Sequence, residues 1–385
     1  MEFAFSDEQE MIRESAESFL ADVSDSAAVR AAMASERGYD PELWQRLCRE
    51  MVWPAIHIPE AHGGLGLGFV ELAILLEQMG RRLFCSPFFA TACLATPALL
   101  LAGNEAPKAR WLPQLADGSL TATLAYASNS ANGLEAVHAS VRAEGKGYVI
   151  EGRLRQVVDG HSAGLLIVAA RGASGIALFA VPADTPGVRR RLLPTLDQTR
   201  KLAEVELAHV YLGPEARLDE DGQGAALLEK VLQLACVAQA AEQVGGAQQA
   251  LDLTLAYVSE RQQFGRSIAS FQAIKHRMAD MMLQLECARS AALYAACVAE
   301  EALVAGGDAQ VAAELPLASA LAKARCSEAF FHCAAESIQL HGGVGFTWEY
   351  DPHLYFKRAR ASEAFLGAPS WHRERIATAL LGEPA

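Results

Sequence analysis

Two long apolar helix patterns meet at one short polar break, and no other feature constrains the fold as strongly. One pattern runs from Leu227 into the stretch Arg261, Gln262, Gln263, Phe264, Gly265, Arg266. The other runs out through Phe271 and Gln272 to about Leu303. Helices joined by so few residues form an antiparallel hairpin, which puts the break at the end of a bundle. There Arg261 and Gln263 can point at something outside their own helix. An arginine offers a planar fork of donors that suits phosphate, and a glutamine amide can bond a ribose or phosphate oxygen. On these residues alone, a solvated inter-helix turn is the simplest reading.

The rest of the chain divides by pattern into an α+β protein. Residues 1–119 read as an N-terminal helical domain. Ser6, Asp7 and Glu8 cap an amphipathic run over 11–20, and Asp40-Pro41-Glu42 starts another helix. Helices are also expected over 69–79 and 87–101. The glycines between Ile58 and Phe69 suggest a phosphate cradle, but they lack the Lys-Ser/Thr of a P-loop and read better as a structural loop. Residues 120–218 read as a small β domain, with strands at Tyr148, Leu165, Ile176 and Ala203 between Gly, Pro and Asp turns. Residues 219–385 read as a C-terminal four-helix bundle, with helices over 225–259, 271–305 and 308–340 and a shorter terminal pair from 352.

The totals exclude several classes. A net charge of -13 argues against a nucleic-acid binder, which carries a basic face. No apolar run of membrane-spanning length is free of charge and proline, and the acidic start lacks the character of a signal or transit peptide. The eight cysteines include no Cys-x-x-Cys, so all are expected to be reduced, buried and unligated, as in a cytoplasmic protein without a metal site.

The Arg261-x-Gln263-Phe264-Gly265 run, with Phe271-Gln272 and Ala279-Asp280-Met281 behind it, resembles the flavin-contacting signature of the acyl-CoA dehydrogenase family. The order of helical, β and helical domains is similar to that family over essentially the whole chain. The resemblance implies an FAD shared across a subunit interface, its ADP half touched by Arg261, Gln263 and Phe264. A second run, Gln339-Leu-His-Gly342-Gly343-Val-Gly-Phe-Thr, closes the third long helix. By itself it is a glycine helix cap. In the family such a run packs on the adenine and ribitol end of a neighbour's flavin, which implies the same role for Gln339, Gly342 and Gly343. The basic triplet Arg189, Arg190, Arg191 could meet a CoA phosphate, although a solvated strand end is the simpler reading.

The chain departs from the family where the chemistry is done. The family's carboxylate base falls on Leu366 here, and the alternative base position on the preceding helix falls on Ala235. Glu242 lies two turns further on, about 10 Å along the axis. Glu229 falls on a different face. Glu363, one helical turn before Leu366, is a weak candidate, and an ordinary pairing with Arg358 or Arg360 explains it better. The Trp and Thr that hold the flavin ring in the family align with Gln156 and Val158. The stretch from Leu124 to Gly133 lacks the family's Thr-Glu-x-x-x-Gly-Ser-Asp loop. This asymmetry resembles a branch of heteromeric acyl-CoA dehydrogenases, several of which act on steroid side-chain thioesters. The segment from Gly345 to Ala359 is similar to that branch. The expectation is a base-lacking subunit that desaturates an acyl-CoA together with a second acyl-CoA dehydrogenase subunit, as α2β2; the electron acceptor stays open, although members of the family commonly pass electrons to an electron-transferring flavoprotein. The alternatives are a self-sufficient homotetramer using Glu363, and a non-catalytic structural or acyl-CoA-binding protein on the same fold.

Overall fold

The computed structural model describes residues 5–304 and 306–382. The acidic start at residues 1–4, and residue 305 at the expected end of the 271–305 helix, lie outside the described residues. The chain begins with helices α1 (Asp7–Val23), α2 (Ser26–Ala34), α3 (Pro41–Arg46), α4 (Phe69–Arg81), α5 (Thr96–Leu100) and α6 (Glu105–Ala116). Strands β1 (Ala122–Ala125), β2 (Ser140–Glu144), β3 (Gly147–Val158), β4 (Leu165–Gly172), β5 (Gly175–Pro182), β6 (Val188–Leu193) and β7 (Leu202–Leu212) follow. Helix α7 (Gly224–Glu260), strands β8 (Gln262–Gln263) and β9 (Arg266–Ser267), and helices α8 (Gln272–Leu303), α9 (Ala309–Ala312), α10 (Leu315–His341), α11 (Pro352–Ala364) and α12 (Pro369–Leu381) complete it.

These elements gather into two compact units. One takes the N-terminal segment to Val29, Phe69–Phe84 and the chain from Cys236 on; the other takes Arg30–Gly68 and Cys85–Ala235.

The second unit holds the seven-stranded sheet, in the order β1-β4-β2-β3-β7-β6, with β5 also paired to β4. Phe179, Leu154, Ile150 and Val205 form its dry centre. Strands β4 and β5 are buried along most of their length, which is why they read from sequence as continuous apolar runs. The helix expected over 87–101 opens instead as a π-helical turn, Phe89–Ala95. The Pro97 nitrogen carries no hydrogen to continue an α ladder, and Thr96 donates both its N–H and its hydroxyl to the carbonyl of Thr91. The Gly63–Gly68 stretch is a structural loop, since a Cβ on Gly64 would lie 1.9 Å from the Ile58 carbonyl oxygen.

The first unit is helical. Ser6 and Gln9 form a reciprocal capping box that starts α1. Helices α4 and α7 touch backbone to backbone: a Cβ on Gly80 would lie 2.0 Å from the Glu242 carbonyl oxygen, and one on Gly245 would lie 1.8 Å from that of Glu77. The helix expected over 308–340 breaks after Ala312 and restarts at Leu315. Pro316 sits in the first turn of α10, where a missing N–H is tolerated. Helix α7 is long and apolar enough to cross a membrane by length and composition, yet 72% of its apolar window is buried inside the protein. No cysteine forms a disulfide among the described residues, but Cys287 is exposed and Cys297 half-buried, so burial is not general as expected. Both lie on α8, whose outer face the sequence pattern did not distinguish.

Candidate functional site

The polar break between α7 and α8 is a β-hairpin. Gln262 pairs with Ser267 and Gln263 with Arg266, leaving Phe264 and Gly265 as the turn at φ 54° and 73°. Positive φ at both central residues is the mirror-image turn whose twist matches the flanking strands. Gly265 adopts it freely, whereas Phe264 holds it at a cost of roughly 1 kcal/mol. The hairpin is tied down at its root, where Ser267 Oγ donates to the Val258 carbonyl (2.9 Å) and the Ile268 N–H to that of Arg261 (2.9 Å). The Phe264 ring remains 90% exposed. It meets Phe271 edge-on at 6.1 Å, and Arg266 covers the Phe271 ring at 4.1 Å. Arg261 and Gln263 are exposed, and the Arg261 guanidinium has no ion pair or hydrogen bond among the described residues. The turn thus presents to solvent an aromatic ring and a cation with no partner among the described residues.

The second sequence-predicted turn lies close by. Helix α10 ends at His341, and Gly342 follows at φ 64° and ψ −143°. A Cβ on Gly342 or Gly343 would meet nothing within 4 Å, so these glycines face open space. Gln339 is exposed one turn earlier. The roots of the two turns are joined: Tyr257, near the end of α7, stacks on His341 at 4.3 Å and 22°. The structure therefore brings the Arg261 and Gly342 signatures to one end of the helical unit.

The expected base positions hold no base. Leu366 is 8% exposed and adopts φ 61°. Its carbonyl accepts a hydrogen bond from His372 Nε2 at 2.9 Å and faces the Cys236 thiol at 3.9 Å. Ala235, the residue before Cys236, is fully buried. Neither Leu366 nor Ala235 can accept a proton. The nearby carboxylates are engaged: Glu363 pairs with Arg360, and Glu242 lies 3.0 Å from Arg358 with both side chains buried.

Sequence reasoning missed the residue that holds this region. Lys323 is completely buried, and the three N–H donors of its Nζ are shared among four acceptors, Ser327 Oγ (2.9 Å) and the carbonyls of Ser362 (3.1 Å), Glu363 (3.2 Å) and Gly367 (3.2 Å). Burial pushes its pKa down to about 8. It thereby satisfies the carbonyls that end α11, which have no partner within that helix. The available signal was a lone lysine inside the apolar, alanine-rich run from Leu315 to Ala329.

In the β unit, Gln156 sits at an irregularity of β3 between Leu154 and Val157, exposed and at φ 56°. Val158 is buried, and its carbonyl accepts from Thr123 Oγ1 at 2.7 Å. The basic triplet lies along β6, not at a phosphate cradle. Arg190 donates to the Ala163 carbonyl (2.6 Å), and Arg191 lies 3.2 Å from Glu204.

These positions fit FAD in one half only. The exposed donors of Arg261 and Gln263 and the open approach at Gly342 and Gly343 suit a dinucleotide phosphate arriving from outside. Gln156 and Val158 offer neither an aromatic face nor a hydroxyl to a flavin ring.

Comparison with known proteins identifies the family. Residues 6–119 match the acyl-CoA dehydrogenase N-terminal domain and residues 222–381 the acyl-CoA dehydrogenase C-terminal domain. The chain is 36% identical over 363 residues, 94% of each chain, to the acyl-CoA dehydrogenase IpdE2 of Mycobacterium tuberculosis. The ChsE4-ChsE5 complex of the same organism is similar over 100% of both chains, at 26% identity and a TM-score of 0.89. A variant of the Tcur3481-Tcur3483 steroid acyl-CoA dehydrogenase is similar over 97% of both, at 30% identity and a TM-score of 0.85. The chain belongs to the acyl-CoA dehydrogenase family, FAD-binding oxidoreductases that act on CH–CH donors.

Proposed function

We propose that this chain is the base-lacking subunit of a heteromeric acyl-CoA dehydrogenase, completing an FAD site whose ring is held by an unlike partner in an α2β2 assembly. One observation carries the reading. The chain presents Arg261, Gln263, Phe264, Gln339, Gly342 and Gly343 outward, while the positions that the family resemblance assigns to a base and to ring contacts hold Leu366, Ala235, Gln156 and Val158. The similar ChsE4-ChsE5 complex and Tcur3481-Tcur3483 steroid acyl-CoA dehydrogenase each name two components, and the second is a steroid enzyme, which supports a steroid-derived acyl-CoA as substrate.

In this reading, the Arg261 fork and the Gln263 amide bind the pyrophosphate and ribose oxygens, and the Phe264 ring shields them from water. Gly342 and Gly343 let the backbone approach closely where a side chain would block it. FAD, when bound, supplies the acceptor for the β-hydride of the thioester. The partner's carboxylate takes the α-proton, since Leu366 has no group to do so. An electron-transferring flavoprotein is the proposed electron acceptor. The engagement of Glu363 with Arg360 weighs against the self-sufficient homotetramer.

The test is the visible spectrum of the chain purified alone and after co-expression with the acyl-CoA dehydrogenase encoded nearest to it. The expected result is a colourless, inactive chain that becomes yellow and active with its neighbour. A lone chain carrying about one FAD per subunit and oxidising an acyl-CoA would overturn the proposal.

A further inference from the structure

The two outward turns belong to different helices, yet a single dinucleotide must meet both. Between their roots lies a cluster of three rings. Tyr257 lies four residues before Arg261, whose N–H donates to the Tyr257 carbonyl at 2.9 Å, the final helical bond of α7. His341 is the last residue of α10, and its Nδ1 donates to the Ser337 carbonyl at 2.7 Å, which holds the ring in one orientation. The two rings stack at 4.3 Å. Tyr350, on the segment after the Gly342 turn, meets Tyr257 edge-on at 6.3 Å and 87° and His341 at 6.2 Å and 65°. That segment is closed on itself: Thr347 donates both its N–H (3.1 Å) and its hydroxyl (2.9 Å) to the Val344 carbonyl. His341 is 5% exposed, so its imidazole is committed to this contact rather than to solvent. Stacked and edge-to-face rings at these separations attract beyond their buried area.

We propose that Tyr257, His341 and Tyr350 form an aromatic clamp that sets the spacing between the Arg261–Arg266 hairpin and the Gly342–Gly343 turn, and are therefore positioning residues for the dinucleotide. The inference rests on the proposed FAD contact and adds the residues that preorganise it. None of the three need touch the ligand. Each acts through the turn it anchors, and a site assembled from two helix ends works only when both are held to within a fraction of an ångström. The ring rather than the hydroxyl of Tyr257 does this, because that hydroxyl has no hydrogen-bond partner among the described residues.

The experiment measures FAD affinity, by quenching of flavin fluorescence, in the assembled oligomer containing the full chain. Arg261→Ala is the reference for the contact itself. Tyr257→Ala is expected to weaken FAD binding by about tenfold, the loss of two aromatic contacts. Tyr257→Phe, which keeps the ring, is expected to stay within about twofold. Tyr350→Ala, on the loop, is expected to weaken binding even if Tyr257→Ala fails to fold. A Tyr257→Ala or Tyr350→Ala variant that melts earlier but binds FAD normally, while Arg261→Ala binds it poorly, would remove the clamp and leave the proposed function standing. Unchanged binding in Arg261→Ala would remove both.

Discussion

Lys323 Nζ lies 3.2 Å from the carbonyl oxygen of Gly367, reaching past the end of α11 from inside the bundle. Its other acceptors are Ser327 Oγ and the carbonyls of Ser362 and Glu363, so one ammonium holds both sides of the turn that carries Leu366. Lys323→Met keeps much of the volume but leaves those carbonyls without a donor. The expected loss is about 3 kcal/mol, read as a lower urea midpoint at unchanged m-value. An unchanged midpoint would mean that water replaces the ammonium.

Two buried histidines contribute to the loss of stability in acid. Burial pushes both His57 and His372 down to about 4, from an ordinary value of 6.5. The unfolded chain therefore takes up these protons at a higher pH than the fold does. Their stabilising contribution is complete above pH 6.5 and is lost as the pH falls through 4, at most about 3 kcal/mol per group. His57→Phe should flatten the fall in melting temperature between pH 6.5 and 4. A parallel curve for the variant would show that His57 has no part in it.

Arg358 and Glu242 form an ion pair with 3% and 6% of their side chains exposed. Removing one partner strands the other charge in the interior. Glu242→Leu or Arg358→Met alone should cost about 3–5 kcal/mol, and the Glu242→Leu, Arg358→Met double variant should recover most of it. Chemical denaturation of the four proteins in the cycle would decide; additive losses would contradict direct coupling.

Phe264 occupies a turn position that asparagine fills with less strain. Phe264→Asn should therefore stabilise the chain slightly, by about 0.5 kcal/mol, while weakening FAD binding in the assembly. A variant that gains stability and keeps full FAD affinity would show that the exposed ring is not used for the cofactor.

Gly245→Ala places a methyl group within 1.8 Å of the Glu77 carbonyl oxygen. The backbones of α4 and α7 would have to separate, at about 3 kcal/mol. A variant melting at the parent temperature would show that the two helices shift apart freely.

Much of the architecture was legible because burial leaves a period in the sequence. The long helices α7 and α8 and the doubly buried strands β4 and β5 follow directly from apolar spacing. The hairpin at Gln262–Ser267 was not legible as strand, since two-residue strands carry no alternation. Strand β6 was legible only as a solvated strand end, because its three exposed arginines, Arg189 to Arg191, interrupt any apolar alternation. The candidate site was legible where outward residues form a contiguous run, as at Arg261 to Gly265. Lys323, Tyr257 and His341 were not, because their partners lie far away in sequence, and no local pattern marks a lysine that caps another helix or a tyrosine stacked across two helix ends.

The helical unit is built from three separated stretches of chain, the last beginning at Cys236, whereas the other unit is complete at Ala235. On the ribosome this order has a consequence. Helices α1 and α4 emerge first, but their apolar faces wait for α7 and α8 until most of the protein has been made. At about 5–20 residues per second that is an interval of roughly ten to forty seconds. During it, the β unit can close while Leu20, Leu72 and Leu75, all fully buried at the end, stay exposed to solvent. Slowing translation beyond residue 236 is therefore expected to raise aggregation more than slowing it before residue 200.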